Sequence, residues 1–385
     1  MEGYLNRENA NKDSRRKPLP FFSDKFILVI AFVLVFFSLL MIYSATGNVS
    51  QEKYGDAYLF VRRQSLAAIL GFVLLFSVSY INVEWLRKVA LGFFVLAVLL
   101  LLLVCIPGIG SKAGGAQRWI GVGPLHFQPS ELCKIFVVIS LAGFLSRREG
   151  KLKYFVPGVV VPVAFLSVAA VLLLIQPDFG SVAVLFSVAL CMMLASGVRF
   201  RHFLYSGFAC MVAGGILIAT SPYRMKRILS FMNPWDDSQG KGYQLIQSLI
   251  AVGSGKATGV GLGASQQKLF FLPAAHTDFI FAVIAEELGF IGAVALLILF
   301  MLLLWRGLLL AGRLADDTFL FNLALGLTLL LVVPALLNIG VVIGLLPTKG
   351  LALPLISYGG SSLICSLLTV GLLLAVGRTL YQRMR

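Results

Sequence analysis

Long apolar runs separated by short polar segments dominate the pattern of this chain. A helical run of about 20 apolar residues matches the thickness of the bilayer hydrocarbon core. A barrel strand would instead alternate apolar and polar residues over about 10 positions, and that alternation is absent from the runs. The pattern predicts ten transmembrane helices, at residues 26–44, 65–81, 89–107, 130–146, 157–175, 179–197, 203–221, 279–304, 319–339 and 360–377.

The longest polar segment, residues 222–278, lies between predicted helices 7 and 8. Leu245, Ile246 and Leu249 recur at helical spacing within it. Met225 begins a second set of apolar residues at this spacing, beside several basic residues. Apolar residues at this spacing predict amphipathic helices that lie on a surface. A connection this long in a compact protein is usually functional, so we expect the loop to contribute to the site.

The composition supports a membrane class. Of the 385 residues, 59% are hydrophobic and 13% are charged, whereas a soluble domain is about half apolar and about a quarter charged. The sequence therefore predicts an all-α, polytopic membrane protein with a large extracytoplasmic loop. Its expected parts are a basic cytoplasmic tail, the ten-helix membrane domain that includes the loop, and a cytoplasmic C-terminal tail, at residues 1–25, 26–377 and 378–385.

The positive charges predict the orientation in the membrane. The chain carries 32 Lys and Arg against 17 Asp and Glu, a formal net charge of +15. With a cytoplasmic N-terminus, the inner segments hold 19 basic residues and the short outer segments hold 6. Basic residues in short loops favour the cytoplasmic side, so both termini are predicted inside. Because the charges stand at the ends of apolar runs, nucleic-acid binding is not expected.

The five cysteines all lie in or beside apolar runs, and none forms a CxxC pair. A disulfide framework or a thiolate zinc site would need other spacings. The cysteines are therefore expected to pack as small apolar residues, and the sequence predicts no metal site.

Five acidic residues stand at or inside the ends of predicted helices. A charge placed in hydrocarbon costs roughly 2.5–3.5 kcal/mol on insertion scales, so such residues should face a wet cavity, a basic partner or both. They are the candidates for chemistry: Glu131, Asp178, Asp278, Glu286 and Glu287.

Glu131 and Lys134 are three residues apart, so they share one face of a helix and can pair. One interpretation is a structural ion pair that lets both side chains enter the membrane. The other is that Lys134 also meets an anionic substrate. Asp178 follows a proline at the start of the sixth predicted helix, where capping by itself accounts for an acid.

Asp278 ends the long outer loop, immediately before an apolar run. Helix capping is one explanation for an acid at this position. The position also lies where an outer cavity would meet the bilayer, beside His276 and aromatic residues. An apolar surround raises the pKa of a carboxyl group and makes it a better proton acceptor, so Asp278 is the candidate general base.

Two further features belong to the expected cavity. Glu286 and Glu287 lie two turns deeper than the loop, and we expect Lys134 or Lys349 to neutralise one of them. Prolines interrupt the apolar run before Ser357. Non-helical backbone at membrane depth is tolerated only against protein or a wet cavity, so this stretch is predicted to be a re-entrant wall of the cavity.

Together these residues resemble the SEDS family of bacterial cell-envelope proteins, whose members include FtsW, RodA and SpoVE. The resemblance covers nearly the whole chain from residue 26 onward. Its most specific part runs from Asn338 to Ser362. The other matching stretches are Arg118–Ile120, Gln128–Leu132, Gln176–Gly180, Gly242–Gln244, Gln247–Leu249, Gly259–Gly263 with Lys268, His276–Phe281 and Glu286–Gly289.

The stretches at 176–179 and 275–277 resemble the division branch, FtsW, more than RodA. The chain departs from the family pattern at Gln117, Lys256 and Ala274. These departures concern one cationic contact, a common glycine pair and one cavity carboxylate. They leave Asp278 untouched.

The resemblance implies a peptidoglycan glycosyltransferase that polymerises lipid II into glycan strands and releases undecaprenyl diphosphate. In the family, the aspartate that matches Asp278 is the essential residue of the outer cavity. A single inverting displacement needs one base, unlike the paired carboxylates of glycosidases, and cations should stabilise the departing diphosphate. The expected substrate-binding residues are Arg118, Glu131, Lys134, Lys268, His276 and Ser357; those expected to shape the cavity are Asp178, Glu286, Glu287 and Lys349.

The resemblance also implies partners and a location. These are a class B penicillin-binding transpeptidase, other proteins of the division machinery, and the cytoplasmic (inner) membrane at the septum. A divalent cation, Mg²⁺ or Mn²⁺, could bridge the diphosphate, but no Asp-x-Asp pair stands ready to hold it. Two other functions stay open at this point: a flippase that moves lipid II across the bilayer, and a non-catalytic division scaffold.

Overall fold

The computed structural model describes residues 22–106, 110–113, 116–122, 125–237, 242–268, 272, 275–347 and 350–384. Of the residues that the structure describes, 78% are helical, which confirms the all-α class. The helices are α1 Phe22–Tyr54, α2 Leu59–Ser79, α3 Val83–Lys88, α4 Ala90–Cys105, α5 Pro129–Arg147, α6 Val161–Ile175, α7 Phe179–Ala195, α8 Phe200–Ala219, α9 Pro222–Met232, α10 Tyr243–Ser254, α11 Ile280–Arg313, α12 Thr318–Val342 and α13 Gly360–Met384. Short 3₁₀ or π turns cover Glu149–Lys151, Val156–Val160 and Pro234–Asp237.

Each of the ten predicted spans coincides with one of these helices. Within the described part of the chain, seven helices are long and apolar enough to cross a bilayer. Ala90–Cys105 and Phe179–Ala195 are shorter apolar helices. The multi-pass membrane class is therefore confirmed, and the number of ten crossings stays a prediction.

A small antiparallel sheet occupies the connection between α4 and α5, which the apolar pattern predicts only as an outer loop. Its strands are β1 Gly110–Ala113, β2 Ala116–Val122 and β3 Leu125–Phe127, in the order β1-β2-β3. The side-chain amide of Gln117 on β2 donates to the carbonyl of Val104 at 3.0 Å. The sheet is thereby attached to the end of α4.

The long loop contains the two predicted helices, α9 and α10, but α10 packs into the bundle rather than on its surface. Leu245 and Ile246 are buried, and the hydroxyl of Ser248 donates to the carbonyl of Val342 on α12 at 2.8 Å. The spacing of apolar residues predicts which face of a helix is buried. It does not say which surface covers that face.

Helix α11 is broken at Gly289, within a predicted continuous span. The backbone there has φ 66° and ψ −166°, and the adjacent loop supplies hydrogen bonds that the helix loses. The amide of Val260 donates to the carbonyl of Glu286 at 3.0 Å, and the amide of Phe290 donates to the carbonyl of Lys256 at 2.9 Å. Broken helices at membrane depth require such partners.

Candidate active site

The loop that carries Asp278 is joined by hydrogen bonds to the non-helical segment 350–359, which we call the re-entrant segment. The amide of Tyr358 donates to the carbonyl of His276 at 2.9 Å. The hydroxyl of Ser357 donates to the carbonyl of Thr277 at 2.6 Å and accepts from the amide of Leu353 at 2.7 Å. The predicted meeting of these two segments is therefore present in the structure.

Asn338 on α12 bonds to both of these segments. Its side-chain amide nitrogen donates to the carbonyl of Asp278 at 2.7 Å and to the carbonyl of Leu351 at 2.6 Å. The residue is 1% exposed. Each of these hydrogen bonds satisfies a carbonyl that would be costly to leave unpaired away from water.

Helices α1 and α2 hold the other side of the re-entrant segment. The hydroxyl of Ser38 donates to the carbonyl of Ile356 at 2.7 Å. The side chain of Gln64 donates to the carbonyl of Ser357 and accepts from the amide of Gly359, both at 3.2 Å. Three helices thus fix a stretch of backbone whose own hydrogen bonds are limited to a single turn, in which the amides of Ile356 and Ser357 donate to the carbonyl of Leu353.

Asp278 is half-buried, so its carboxylate lies in a protein surround without being sealed from it. A Cβ atom built on Gly350 would lie 2.9 Å from Oδ2 of Asp278, so the carboxylate rests directly against the re-entrant backbone. The N-cap position of α11 is Phe279 rather than Asp278. The arrangement presents one positioned carboxylate at the N-terminal end of a membrane helix.

A second charged cluster forms around Lys134. Its ammonium lies 2.7 Å from Oε1 of Glu131 and also interacts electrostatically with Asp178. The Asp178 carboxylate caps α7, accepting from the amide of Ser181 at 3.1 Å and from its hydroxyl at 2.7 Å. The predicted ion pair and the predicted cap are both confirmed as contacts.

The two clusters approach the same short stretch of chain. A Cβ atom built on Gly180 would lie 2.7 Å from the side chain of Leu351 and 3.4 Å from the carbonyl of Gly350. Gly350 in turn contacts Asp278. The start of α7 after Asp178 and the loop of Asp278 therefore both pack against residues 350–351.

Arg118 on β2 donates hydrogen bonds to the turn before α7. Its Nε donates to the carbonyl of Gln176 at 3.0 Å, and its terminal nitrogen donates to the carbonyl of Pro177. These carbonyls lie at the C-terminal end of α6, where a cation is favoured. A phosphate contact by Arg118 stays a prediction.

The partner of Glu287 is Lys268, and not Lys134 as we expected from the sequence. The two side chains are 3% and 0% exposed and lie 2.7 Å apart. The hydroxyl of Ser44 donates to the Glu287 carboxylate at 2.6 Å, and Glu286 accepts from Ser265 at 2.5 Å. Lys349, the other expected partner, lies outside the described residues.

His276 lies in a cluster of aromatic rings. Its ring centroid is 5.3 Å from that of Phe60 and 5.6 Å from that of Tyr358. Burial lowers the pKa of His276 below its ordinary value of 6.5. The imidazole is therefore neutral at neutral pH.

Asn338, Gln64 and Ser38 belong to the site's framework, although the sequence did not identify them as parts of it. Ser38 and Asn338 are polar residues inside apolar runs, which is a signal for a buried hydrogen bond. Gln64 lies just before the second run, beside two arginines, and carries no such signal. Among the residues that the structure describes, no group of three His, Cys, Asp or Glu could hold a metal ion.

Comparison with known proteins places this geometry among membrane proteins of the bacterial cell cycle. Residues 24–382 match the FtsW/RodA/SpoVE family model, described as "Cell cycle protein". "Probable peptidoglycan glycosyltransferase FtsW" of Geobacter sp. (strain M18) is 43% identical over 353 residues, 92% of this chain and 96% of that protein. "Stage V sporulation protein E" of Bacillus subtilis (strain 168) is 40% identical over 355 residues, 92% of this chain and 97% of that protein.

Two solved structures share the architecture. One, described as "Structural coordination of polymerization and crosslinking by a peptidoglycan synthase complex", aligns with a TM-score of 0.73 and 34% identity over 91% of this chain and 98% of that chain. The other is the rod shape determining protein RodA of Thermus thermophilus, with a TM-score of 0.67 and 29% identity over 92% of this chain and 97% of that chain.

Proposed function

This chain belongs to the FtsW/RodA/SpoVE family of cell cycle proteins, and from that premise we propose its reaction and mechanism. It is a peptidoglycan glycosyltransferase, as its relatives are named. It polymerises lipid II into glycan strands at the outer face of the cytoplasmic membrane during cell division. A lipid-linked donor accounts for a site at the edge of a membrane helix.

Asp278 is the general base of this reaction. Its carboxylate takes the proton from an acceptor sugar hydroxyl as that oxygen attacks C1 of the donor sugar. The bond between C1 and the phosphate oxygen breaks, and undecaprenyl diphosphate leaves. One displacement inverts the anomeric carbon, so a single carboxylate is sufficient. Diphosphate is a good leaving group, so no second acid is required.

The surrounding charges have supporting roles. Lys134, oriented by Glu131, and Arg118 on β2 lie on elements that flank the re-entrant segment, where they can stabilise the departing diphosphate. Asp178 holds the start of α7 and adds to the field at Lys134. His276 and Ser357 shape the acceptor side, Ser357 by bonding the loop of Asp278. A divalent cation bound to the diphosphate would supply further positive charge.

The observation that carries the proposal is the fixed backbone of Asp278. A general base must be held within hydrogen-bond reach of the proton that it removes. Asn338, Ser357 and Tyr358 hold the carbonyls of residues 276–278, while the carboxylate stays half-buried against Gly350. This rigidity is more than a helix cap requires.

Purified protein given labelled lipid II tests the mechanism. We expect the wild type to form glycan strands and Asp278→Asn to lose strand formation, since an amide cannot accept the proton. Asp316→Asn, at an exposed acid before α12, is the control and should keep full activity. Turnover by Asp278→Asn would show that the base is elsewhere. Movement of headgroups across liposomes without polymerisation would instead identify a flippase, and partner binding with neither activity would identify a scaffold.

The remaining proposals concern the cell. The protein works beside a class B penicillin-binding transpeptidase that crosslinks its product, in keeping with the structural likeness to a peptidoglycan synthase complex, and with other division proteins at the septum. Its ten helices lie in the inner membrane with both termini in the cytoplasm. The tails at 1–25 and 378–385 flank the membrane domain at 26–377.

A further inference from the structure

A groove of about 520 Å³ lies at the N-terminal end of α2, the end that we predict to be outer. Its lining within the described part of the chain consists of Tyr58, Val61, Arg62, Ser65 and Leu66. These residues recur at intervals of three and four positions, so they share one side of the first two turns of the helix. The volume is within the range of about 300–1,000 Å³ that is typical of ligand pockets.

The charged end of the groove is at the start of the helix. Arg62 lies in the first turn of α2, whereas Leu66 lies one turn deeper. Leu66 is 68% exposed, and two further exposed apolar side chains, Ile69 and Val73, follow it along the helix. A ligand that matches this order has a charged end near the membrane surface and an apolar chain in the hydrocarbon, which is the structure of a lipid.

The basic residues at this end of α2 indicate that the charged end of the ligand is an anion. Lys53, Arg62 and Arg63 are three of the six basic residues in the short segments that we predict to be outer, where the positive-inside bias disfavours them. Arg62 pairs with Asp56, but its side chain is 69% exposed, and an exposed pair stabilises little. A guanidinium has five N–H donors, so Arg62 can bind a phosphate as well as Asp56.

The turns of α2 that form the groove also hold the candidate active site. The side chain of Gln64 donates to the carbonyl of Ser357 and accepts from the amide of Gly359, both at 3.2 Å. With 3.6 residues per turn, Val61 in the groove lies about 60° around the helix from Gln64. A lipid in the groove therefore has its headgroup close to the re-entrant segment, on the side where Ser357 shapes the acceptor site.

We propose that this surface, which we call the α2 groove, binds the diphosphate and the first isoprenoid units of a lipid-linked acceptor. Arg62 binds the diphosphate, and the chain lies against Val61 and Leu66. The inference rests on the proposed function, in which Lys134 and Arg118 stabilise the departing diphosphate of the donor. The acceptor keeps its own diphosphate through the reaction, so it needs a second anion site, and the α2 groove supplies one.

Photocrosslinking from the groove tests its occupancy directly. The full-length Asp278→Asn protein, in phosphatidylcholine nanodiscs with radiolabelled lipid II, carries benzoylphenylalanine in place of Leu66. Illumination should attach the label at this position. The control carries the same group in place of Leu99 on α4, which is also exposed to lipid, at 56%, and it should remain unlabelled. Equal labelling from the two positions would overturn the proposal.

The arginines separate a phosphate contact from a general attraction of anions. Adding Arg62→Gln should raise the lipid II concentration for half-maximal crosslinking about tenfold, since it removes hydrogen bonds between charged groups. Arg63→Gln removes the same charge from an exposed neighbour outside the lining and should leave that concentration unchanged. An unchanged value in Arg62→Gln, or an equal rise in the two variants, would overturn the role of Arg62.

Competition identifies the lipid. Unlabelled undecaprenyl diphosphate should displace labelled lipid II from the Leu66 position. Phosphatidylglycerol at the same mole fraction in the nanodisc should not displace it. Equal displacement by the two lipids would make the groove a general site for anionic lipids, which contradicts its assignment to a polyprenyl diphosphate.

Turnover separates this inference from the proposed function. In the active protein, Arg62→Gln and Leu66→Trp should each raise the KM for lipid II, with little change in kcat at saturation, because they weaken binding away from the reacting atoms. Wild-type polymerisation with an unchanged KM in both variants refutes the α2 groove alone. Failure of the wild type to polymerise lipid II refutes the function on which the inference rests.

Discussion

Gly350 shows how closely one residue can be tied to the position of the candidate base. An added Cβ would lie 2.9 Å from Oδ2 of Asp278. The atom that must move is the end of a side chain, so the backbone can stay in place while the carboxylate turns away. Misplacing a catalytic group by about 1 Å can cost roughly 100-fold in rate.

We therefore predict that Gly350→Ala lowers strand formation about 100-fold with little change in thermal stability. Initial rates with lipid II and the unfolding midpoint are the measurements. Gly360→Ala is the control, since its new methyl group meets Ala67 at an ordinary 3.6 Å. A stable Gly350→Ala protein with normal activity would contradict the close placement of the carboxylate.

Asn338 should combine a stability effect with an activity effect. Asn338→Leu leaves the buried carbonyls of Asp278 and Leu351 without their donor, at about 1–3 kcal/mol for each unpaired group. Asn322→Leu is the matched control, because Asn322 is equally buried in α12 and bonds to Thr318 instead. Both variants should unfold earlier. Activity per folded molecule should fall only in Asn338→Leu, and an equal fall in both would argue against a positioning role.

His276 predicts a pH effect on stability. Burial holds its pKa below 6.5 in the folded protein, so the unfolded chain takes up a proton first as the pH falls. Stability is unaffected above 6.5, is lost as the pH falls below it, and levels off below the folded pKa. His276→Phe should flatten this decline in unfolding midpoints. Identical profiles for the two proteins would contradict a buried neutral imidazole.

At the level of elements, the break in α11 depends on the loop that packs into it. Gly259 has φ +82°, and a Cβ there would lie 2.1 Å from the carbonyl of Glu287. The buried pair of Lys268 and Glu287 connects the same loop to the same helix. This pair explains why Lys268 is buried. It gives Lys268 an anchoring role, which differs from the contact with substrate that the sequence led us to expect.

A double-mutant cycle tests that anchor. Lys268→Met or Glu287→Leu alone leaves a buried charge unpaired and should cost about 3–5 kcal/mol of stability. The double variant removes both charges and should recover much of that loss. Unfolding midpoints of the four proteins give the coupling. Additive losses would show that the two side chains are not a pair, and a selective rise in KM for lipid II in Lys268→Met would favour a contact with substrate.

The sequence predicted the helices better than their interruptions. Runs of apolar residues locate each helix because hydrocarbon excludes unpaired backbone. The three strands of the small sheet have four, seven and three residues, too short for alternation to stand out. The break at Gly289 depends on hydrogen bonds from residues 256–261, which only the folded chain brings near. Asp278 could be predicted from its position and its family resemblance, whereas the donors on Asn338 required the structure.

For the whole molecule, one network of ion pairs connects three helices at the end that we predict to be cytoplasmic. Arg87 pairs with Asp317 and lies 3.5 Å from Glu84. Arg383 lies 2.9 Å from Asp317 and 3.0 Å from Glu84. Hydrogen bonds from Arg87 and Arg383 and from a backbone amide outweigh burial and lower the pKa of Asp317. The network joins α3, the start of α12 and the end of α13, in agreement with the basic bias of this side.

The number of crossings depends on the three predicted spans that are not among the seven long apolar helices, namely α4, α7 and α8. With 1.5 Å per residue, the 16 residues of α4 and the 17 residues of α7 reach about 24–26 Å, slightly less than a hydrocarbon core of about 30 Å. A bilayer can thin around a short helix at modest cost. If either helix failed to cross, every later connection would change sides.

Three cysteine substitutions in a chain freed of its five native cysteines decide the topology. Glu52, Lys153 and Lys256 are exposed and follow one, four and seven predicted crossings. A membrane-impermeant maleimide added to intact cells should label Glu52→Cys and Lys256→Cys, while Lys153→Cys should react only after permeabilisation. Labelling of Lys153→Cys from outside would mean that one of the second to fourth spans, most simply the short α4, does not cross. Protection of Lys256→Cys alone would mean that one of the fifth to seventh spans, most simply α7 or α8, does not cross, and would move the long loop with Asp278 to the face where no glycan strand is made.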